Sequence, residues 1–240
     1  MAFGKFYGVG VGPGNPELLT LAAYRVVQEV DLVCTPKAKA ENESLALSIV
    51  QQAINRSINT LELIFPMSSD PTVLDNHWEA ATQQIVAQLQ AGRDVAFITI
   101  GDPMFYSTYG YVLRRLAKYP EIQIETIPGV TAFSATMSFL NVPLTEGNDR
   151  LAVLPAVYDP HLVLEMFRQF DTLVLMKVNK VYDQIVTVLD ENNLLGHAVY
   201  VSRCGYPDQF YTRDLLSLVD KPKDYMSMII MKKVGWEGLK

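Results

Sequence analysis

The apolar run Val95-Ala96-Phe97-Ile98-Thr99-Ile100 empties into Gly101-Asp102-Pro103, and Met104-Phe105-Tyr106-Ser107-Thr108-Tyr109-Gly110 follows. A Gly-Asp-Pro turn joins a residue free to take positive φ, a carboxylate and a fixed φ. It leaves main-chain N–H and C=O groups at the carboxyl end of a strand, where open α/β sheets bind ligands. The same turn also serves as an ordinary strand-to-helix connection. A second cluster, Gly8-Val9-Gly10-Val11-Gly12-Pro13-Gly14, closes a short strand over Lys5–Val11 and leads into Asn15-Pro16-Glu17, with the residue types of an N-cap, a first helical proline and an acidic first turn. A third loop, Pro128-Gly129-Val130-Thr131-Ala132, follows an apolar residue, Ile127. The dinucleotide fingerprint needs glycines at offsets zero, two and five, but the third position is Pro13 counted from Gly8 and Asn15 counted from Gly10. A Walker phosphate loop fails as well, because no Gly-Lys-Ser/Thr ends the cluster. What remains is a set of loops that let a ligand lie close to the main chain, with no sign of a pyrophosphate.

These loops need strands to carry them. At 240 residues and 49% hydrophobic content the chain can bury a full core as one or two domains. Strands are expected at Lys5–Val11, Asp31–Thr35, Thr60–Phe65, Asp94–Ile100 and Gln123–Ile127, with helices at Pro16–Glu29, Ser44–Asn55, Val73–Gln90 and Tyr109–Lys118. This alternation is a parallel-sheet pattern. The polar segment Thr145–Arg150 marks a domain boundary, giving residues 1–147 and 148–240. The second half alternates again: a strand Leu151–Leu154, a helix His161–Gln169, a strand Thr172–Val178, a helix Val181–Glu191 and a strand His197–Ser202. The methionine-rich Tyr225–Met231 reads as a buried strand.

Composition excludes several chemistries. Cys34 and Cys204 have neither a disulfide framework nor a metal-ligand spacing and read as buried thiols, and His77, His161 and His197 are scattered, so no metal site is expected. The net charge of −6 argues against nucleic acid as main partner. No apolar run of about 18 residues suggests a membrane span, and no signal pattern precedes the first strand, so a cytoplasmic location is expected.

Taken in order, Gly8–Gly14 with Asn15–Leu21, then Gly101-Asp102-Pro103, then Pro128-Gly129-Val130-Thr131 resemble the tetrapyrrole methylase family. Thr35-Pro36-Lys37, Glu43–Leu47, Phe65-Pro66-Met67, Gly101–Tyr109 and Arg150–Pro155 resemble its precorrin-2 C-20 methyltransferase branch. The resemblance runs from about Phe6 to about Met231. It implies two α/β domains with a cofactor cleft between them, a homodimer, and S-adenosylmethionine held against main-chain atoms. Carried over, Pro13 closes the first loop beneath the tetrapyrrole trough, Gly101, Asp102 and Phe105 line the methionine and ribose side, and Thr131 and Ala132 continue the cofactor wall. In the second domain Met176 packs on the cofactor, with Arg203 and Cys204 near the adenine.

One departure stands out. The branch that methylates uroporphyrinogen has a proposed proton-accepting aspartate where this chain has Pro36, so no general base carries over. Tyr106 or Tyr109 could assist a departing proton, although aromatic packing explains either. An anionic tetrapyrrole requires local positive charge, for which Lys37, Lys39, Arg114, Arg115, Lys177, Lys180 and Arg203 are candidates; Arg115 and Lys118 also read as surface charges. The implied activity is methyl transfer from S-adenosylmethionine to C-20 of precorrin-2 or its cobalt-bearing counterpart. The alternatives are a relative with another acceptor and a cofactor-binding module without turnover, which a methyl-transfer assay separates.

Overall fold

A computed structural model describes residues 3–39, 41, 43–68, 70–155 and 159–236, and its compact units are 1–131 and 132–240. The first unit is an all-parallel sheet of β1 (Phe6–Gly10), β2 (Leu32–Lys37), β3 (Thr60–Ile64), β4 (Val95–Thr99) and β5 (Ile124–Ile127), in the order β3-β2-β4-β1-β5. Its helices are α1 (Leu21–Glu29), α2 (Leu45–Ala53), α3 (Pro71–Gln90) and α4 (Tyr109–Leu116).

Strand side chains alternate between two faces, so a sheet covered on both sides needs apolar residues at every position. In β4, Val95 and Phe97 pack with Ile85 and Leu89 of α3 and Val112 and Leu116 of α4. Ala96 and Ile98 of the same strand pack with Val26 and Val27 of α1 and Ile49 and Val50 of α2. The expected strands therefore form, with two adjustments. The helix expected over Pro16–Glu29 is split into a 3-10 turn at Pro16–Leu18 and α1, because Thr20 takes an extended conformation and its Oγ1 accepts the Ala23 N–H at 3.1 Å, starting a new helix. Strand β2 runs past its expected end at Thr35 to Lys37. Its pairing with β4 stops at Cys34 while β3 continues alongside, which accommodates Pro36 and its missing N–H.

The second unit holds β6 (Leu151–Pro155), β7 (Thr172–Met176), β8 (Ala198–Ser202), β9 (Phe210–Thr212) and β10 (Ser227–Lys232), in the order β6-β7-β10-β8-β9. Its helices are α5 (Ala132–Leu140), α6 (His161–Gln169) and α7 (Tyr182–Glu191). Only β6 and β7 pair in parallel; β10 runs antiparallel to β7 and β8, and β9 antiparallel to β8. The methionine-rich segment is the central strand, buried along its whole length. Sequence alternation predicted neither this reversal nor β9.

The division after Thr131 precedes the polar segment at which sequence places the boundary. Hydrogen bonding explains the difference. Thr136 of α5 faces Met228 Sδ of β10 at 3.8 Å, and the carbonyls of Pro143 and Leu144 accept the Lys232 ammonium at 2.6 and 3.1 Å. Leu144 O also accepts the Thr172 hydroxyl at 2.9 Å, so this stretch is fastened to the second sheet well before Thr145.

Candidate functional site

In the first unit the three glycine loops meet main chain to main chain. Gly101 N–H donates to Gly12 O at 2.7 Å in an isolated antiparallel bridge, with both glycines at positive φ, +75° and +71° for Gly12 and Gly101. A Cβ on Gly10 would lie 2.6 Å from Gly101 O and from Gly129 N, and one on Gly129 only 2.1 Å from Gly101 O. No side chain fits at either position. At Gly101 itself the Cβ direction meets nothing nearer than Val130 O at 4.0 Å. The backbone there combines a left-handed conformation with free approach, as a ligand lying on the main chain requires. Pro13 is buried in the bend that follows Gly12.

Gly8 has a different reason. Its missing Cβ makes room for the Tyr109 ring, whose atoms would lie 2.2 Å away. That ring stacks on Phe6, its hydroxyl sits 2.7 Å from Thr126 Oγ1, and burial raises its pKa. Tyr109 is thus a core residue and not a proton carrier.

Asp102 occupies the turn with both oxygens engaged: Oδ1 accepts the Met104 N–H at 2.8 Å and Oδ2 the Gly129 N–H at 3.0 Å. Phe105 is half-buried and meets Tyr106 edge-on at 4.8 Å between centroids; Tyr106 is 46% exposed and takes φ +50°. Ser107, which sequence analysis did not single out, donates to Thr99 Oγ1 at 3.0 Å and accepts the Tyr109 N–H at 3.1 Å. A serine just ahead of a helix is the signal that could have found it. Thr131 ends the third loop, and Ala132 begins α5.

In the second unit the ends of three strands gather the expected residues. Met176 closes β7 opposite Met228. Lys177 follows at φ +57°, donates its N–H to Ser227 O at 3.2 Å, and forms no ion pair among the described residues. Burial lowers its ammonium pKa. Beyond β8, Arg203 takes φ +51° and pairs with Asp208 at 2.7 Å and Asp224 at 3.4 Å while lying over the Tyr206 ring. Its charge is neutralised from within its own unit, so it is removed from the list of cations for a substrate. Cys204 is buried beside Thr136, and its thiol pKa is raised by burial. The Tyr206 hydroxyl is buried without a hydrogen-bond partner among the described residues, which sequence could not indicate.

Other cations sort the same way. Lys37 pairs with Glu62; Arg115 pairs with Asp75 and Glu79 and lies over Trp78, and Lys118 reaches Glu79, so the last two fasten α4 to α3. Arg114 rests on Tyr111. Lys39 and Lys180 are exposed.

A profile of the Tetrapyrrole (Corrin/Porphyrin) Methylases matches residues 5–220. The chain is 34% identical to the cobalt-precorrin-2 C(20)-methyltransferase of Salmonella typhimurium, over 98% of each chain. It is 33% identical to the probable cobalt-precorrin-2 C(20)-methyltransferase of Methanocaldococcus jannaschii, over 95% of this chain and 96% of that one. The uroporphyrin-III C-methyl transferase of Thermus thermophilus, solved with S-adenyl homocysteine, superposes with a TM-score of 0.69 at 22% identity, covering 96% of this chain and 98% of the other. The backbone-lined glycine loops are thus set in a fold and a sequence pattern shared along nearly the whole chain, and the protein belongs to the tetrapyrrole (corrin/porphyrin) methylases.

Proposed function

We propose that this protein transfers the methyl group of S-adenosylmethionine to C-20 of precorrin-2, metal-free or cobalt-bearing, in cobalamin biosynthesis. The observation that carries this reading is the near-full-length likeness to two relatives that bear this C-20 activity in their names. The residues present fit the cofactor: Gly101 offers a left-handed backbone with an open Cβ direction, in a loop locked to two others by main-chain contacts. The superposable Thermus enzyme with its bound S-adenyl homocysteine supports the same choice.

When bound, S-adenosylmethionine supplies a methyl group already activated by its sulfonium charge. The chain's own task is to hold the acceptor carbon in line, and such positioning supplies up to about 7–11 kcal/mol of a barrier. On the first unit Pro13, Gly101, Phe105 and Thr131 are assigned to the cofactor; on the second unit, taken by itself, Ala132, Met176 and the Arg203-Cys204 main chain are assigned to it. Lys177, half-buried and without a counter-ion among the described residues, is suited to a carboxylate of the tetrapyrrole. Tyr106, exposed beside Phe105, is the remaining hydroxyl for acid–base assistance. The same reading carries a homodimer and a cytoplasmic location.

The test is turnover with metal-free and cobalt-loaded precorrin-2 side by side, following the gain of one methyl by mass spectrometry and its place on the ring by NMR. Methylation at C-20 of either substrate is expected. Binding of S-adenosylhomocysteine without turnover of either would leave a cofactor-binding module instead.

A further inference from the structure

We propose that Asp102 is a positioning residue that clamps the Pro128–Thr131 loop to the Gly101 turn, and that its carboxylate is not a ligand of the cofactor ribose. The consequence for binding rests on the reading that S-adenosylmethionine lies on these loops. The clamp itself rests on geometry alone. One oxygen, Oδ1, fixes the turn by accepting the N–H of Met104, two residues on, at 2.8 Å. The other, Oδ2, crosses to the N–H of Gly129 at 3.0 Å. Gly129 is the most crowded point of the site, its Cβ direction filled by Gly101 O at 2.1 Å and its nitrogen 2.6 Å from the Cβ direction of Gly10. An N–H pressed between two other main chains needs an acceptor supplied from inside the protein.

Only a residue with two acceptor oxygens answers both donors. Asparagine offers one oxygen and sets an NH2 against the second N–H, so Asp102→Asn must release either the turn or the loop. Releasing the loop moves Val130, the nearest neighbour of the Gly101 Cβ direction. The register of two backbone segments would therefore depend on one carboxylate.

Calorimetry with S-adenosylhomocysteine and its 2′-deoxy and 3′-deoxy analogues, on the parent and Asp102→Asn, tests this as a double-mutant cycle, and NMR follows the Gly129 amide in the ligand-free proteins. We expect Asp102→Asn to weaken S-adenosylhomocysteine by about 10-fold or more, as loss of a charged hydrogen bond does. Removing either ribose hydroxyl should cost the same factor in both proteins, and the Gly129 amide should shift and exchange faster in the variant without ligand. The proposal is overturned if either hydroxyl loses its value in the variant, which would place the carboxylate on the ribose, or if the Gly129 amide is unchanged. Should Asp102→Asn be insoluble, Asp102→Glu, which keeps the charge but displaces both oxygens, runs through the same arms with the same criteria. A parent that binds no S-adenosylhomocysteine would remove the functional reading, while the ligand-free amide would still decide the clamp.

Discussion

The two units handle the ends of their strands in opposite ways. In the first, the left-handed positions Gly12 and Gly101 and the contact positions Gly10 and Gly129 are all glycine, so main chain can touch main chain. In the second, Lys177 at φ +57° and Arg203 at φ +51° hold the same backbone region with long side chains, at roughly 1–2 kcal/mol each. Elsewhere the non-glycine residues at positive φ include Asn141, Asn193 and Asp220, types that tolerate it because a short polar side chain bonds locally. The difference separates two jobs. A glycine marks a place where the backbone itself is the contact surface; a strained lysine marks a place where the side chain is wanted despite its conformation. Tyr106, at φ +50° in the first unit, belongs with the lysine in this respect.

The largest expected effect breaks the first half of that comparison. Gly129→Ala would set a methyl 2.1 Å from Gly101 O and 2.8 Å from Gly10 Cα, and neither atom belongs to a side chain that can swing away. We expect a loss of about 3 kcal/mol or more in urea unfolding, or no soluble protein. Gly101→Ala meets only Val130 O at 4.0 Å, so its cost is the left-handed strain of about 1–2 kcal/mol. Adding the branches of valine at Gly101 should leave the fold and abolish S-adenosylhomocysteine binding. Equal costs for Gly129→Ala and Gly101→Ala would mean that crowding is not what selects glycine in these loops.

The second unit responds with the opposite sign. Lys177→Gly removes the strain and the desolvated ammonium, and gives back part of the gain through the greater freedom of glycine in the unfolded chain; a net increase of about 0.5–1 kcal/mol is expected. Turnover should fall at least 10-fold. The gain also depends on pH. Folding depresses this lysine below its ordinary 10.5, so the charged form is disfavoured in the folded protein: the penalty is full below the folded pKa and fades as pH rises towards 10.5. The gap between the unfolding midpoints of parent and variant should therefore narrow at alkaline pH, leaving the part due to backbone strain. A variant no more stable than the parent, or one with full turnover, would dissolve the distinction between the two units.

What sequence made legible follows from the same physics. Glycine and proline report local backbone constraints directly, so the three loops, the Gly101 turn and the parallel first sheet could be read from their own residues. Continuous apolar strands such as Val95–Thr99 report burial on both faces, which a parallel sheet demands. The reversal of β10 was hidden because a fully buried strand has the same apolar content whichever way it runs. The division after Thr131 was hidden because it depends on Lys232, far along the chain, reaching back to the carbonyls of Pro143 and Leu144. Positive φ at Tyr106, Lys177 and Arg203 left no mark, since these residue types ordinarily avoid it. The counter-ions of Arg203 and Arg115 come from other turns and helices, so the list of substrate cations could be shortened only with the structure in hand.

The smallest expected effect lies at the other end of the strand that Lys177 follows. Asp171 immediately precedes β7 and accepts the Arg150 N–H at 2.9 Å, the Arg150 Nε at 3.2 Å and the Lys233 ammonium at 3.3 Å. The backbone hydrogen bond from Arg150 is the main cause that holds its carboxyl down at about 2, with the two cations adding to it. A depressed acid stabilises the fold above its unfolded pKa, near 3.8, and loses that contribution as pH falls through about 2. Asp171→Asn should thus be slightly less stable than the parent at neutral pH, by an increment in urea midpoint that holds down to about pH 5 and closes between there and pH 2. The charge is exposed to solvent, so salt should shrink the increment as well. Cofactor affinity and turnover should not move. The two ends of β7 then give differences that shrink in opposite pH directions, the hydrogen-bonded carboxylate in acid and the desolvated ammonium in alkali. If the Asp171→Asn increment instead persisted unchanged to pH 2, packing rather than charge would set it, and β7 would no longer separate a charge held for the fold from one held for the reaction.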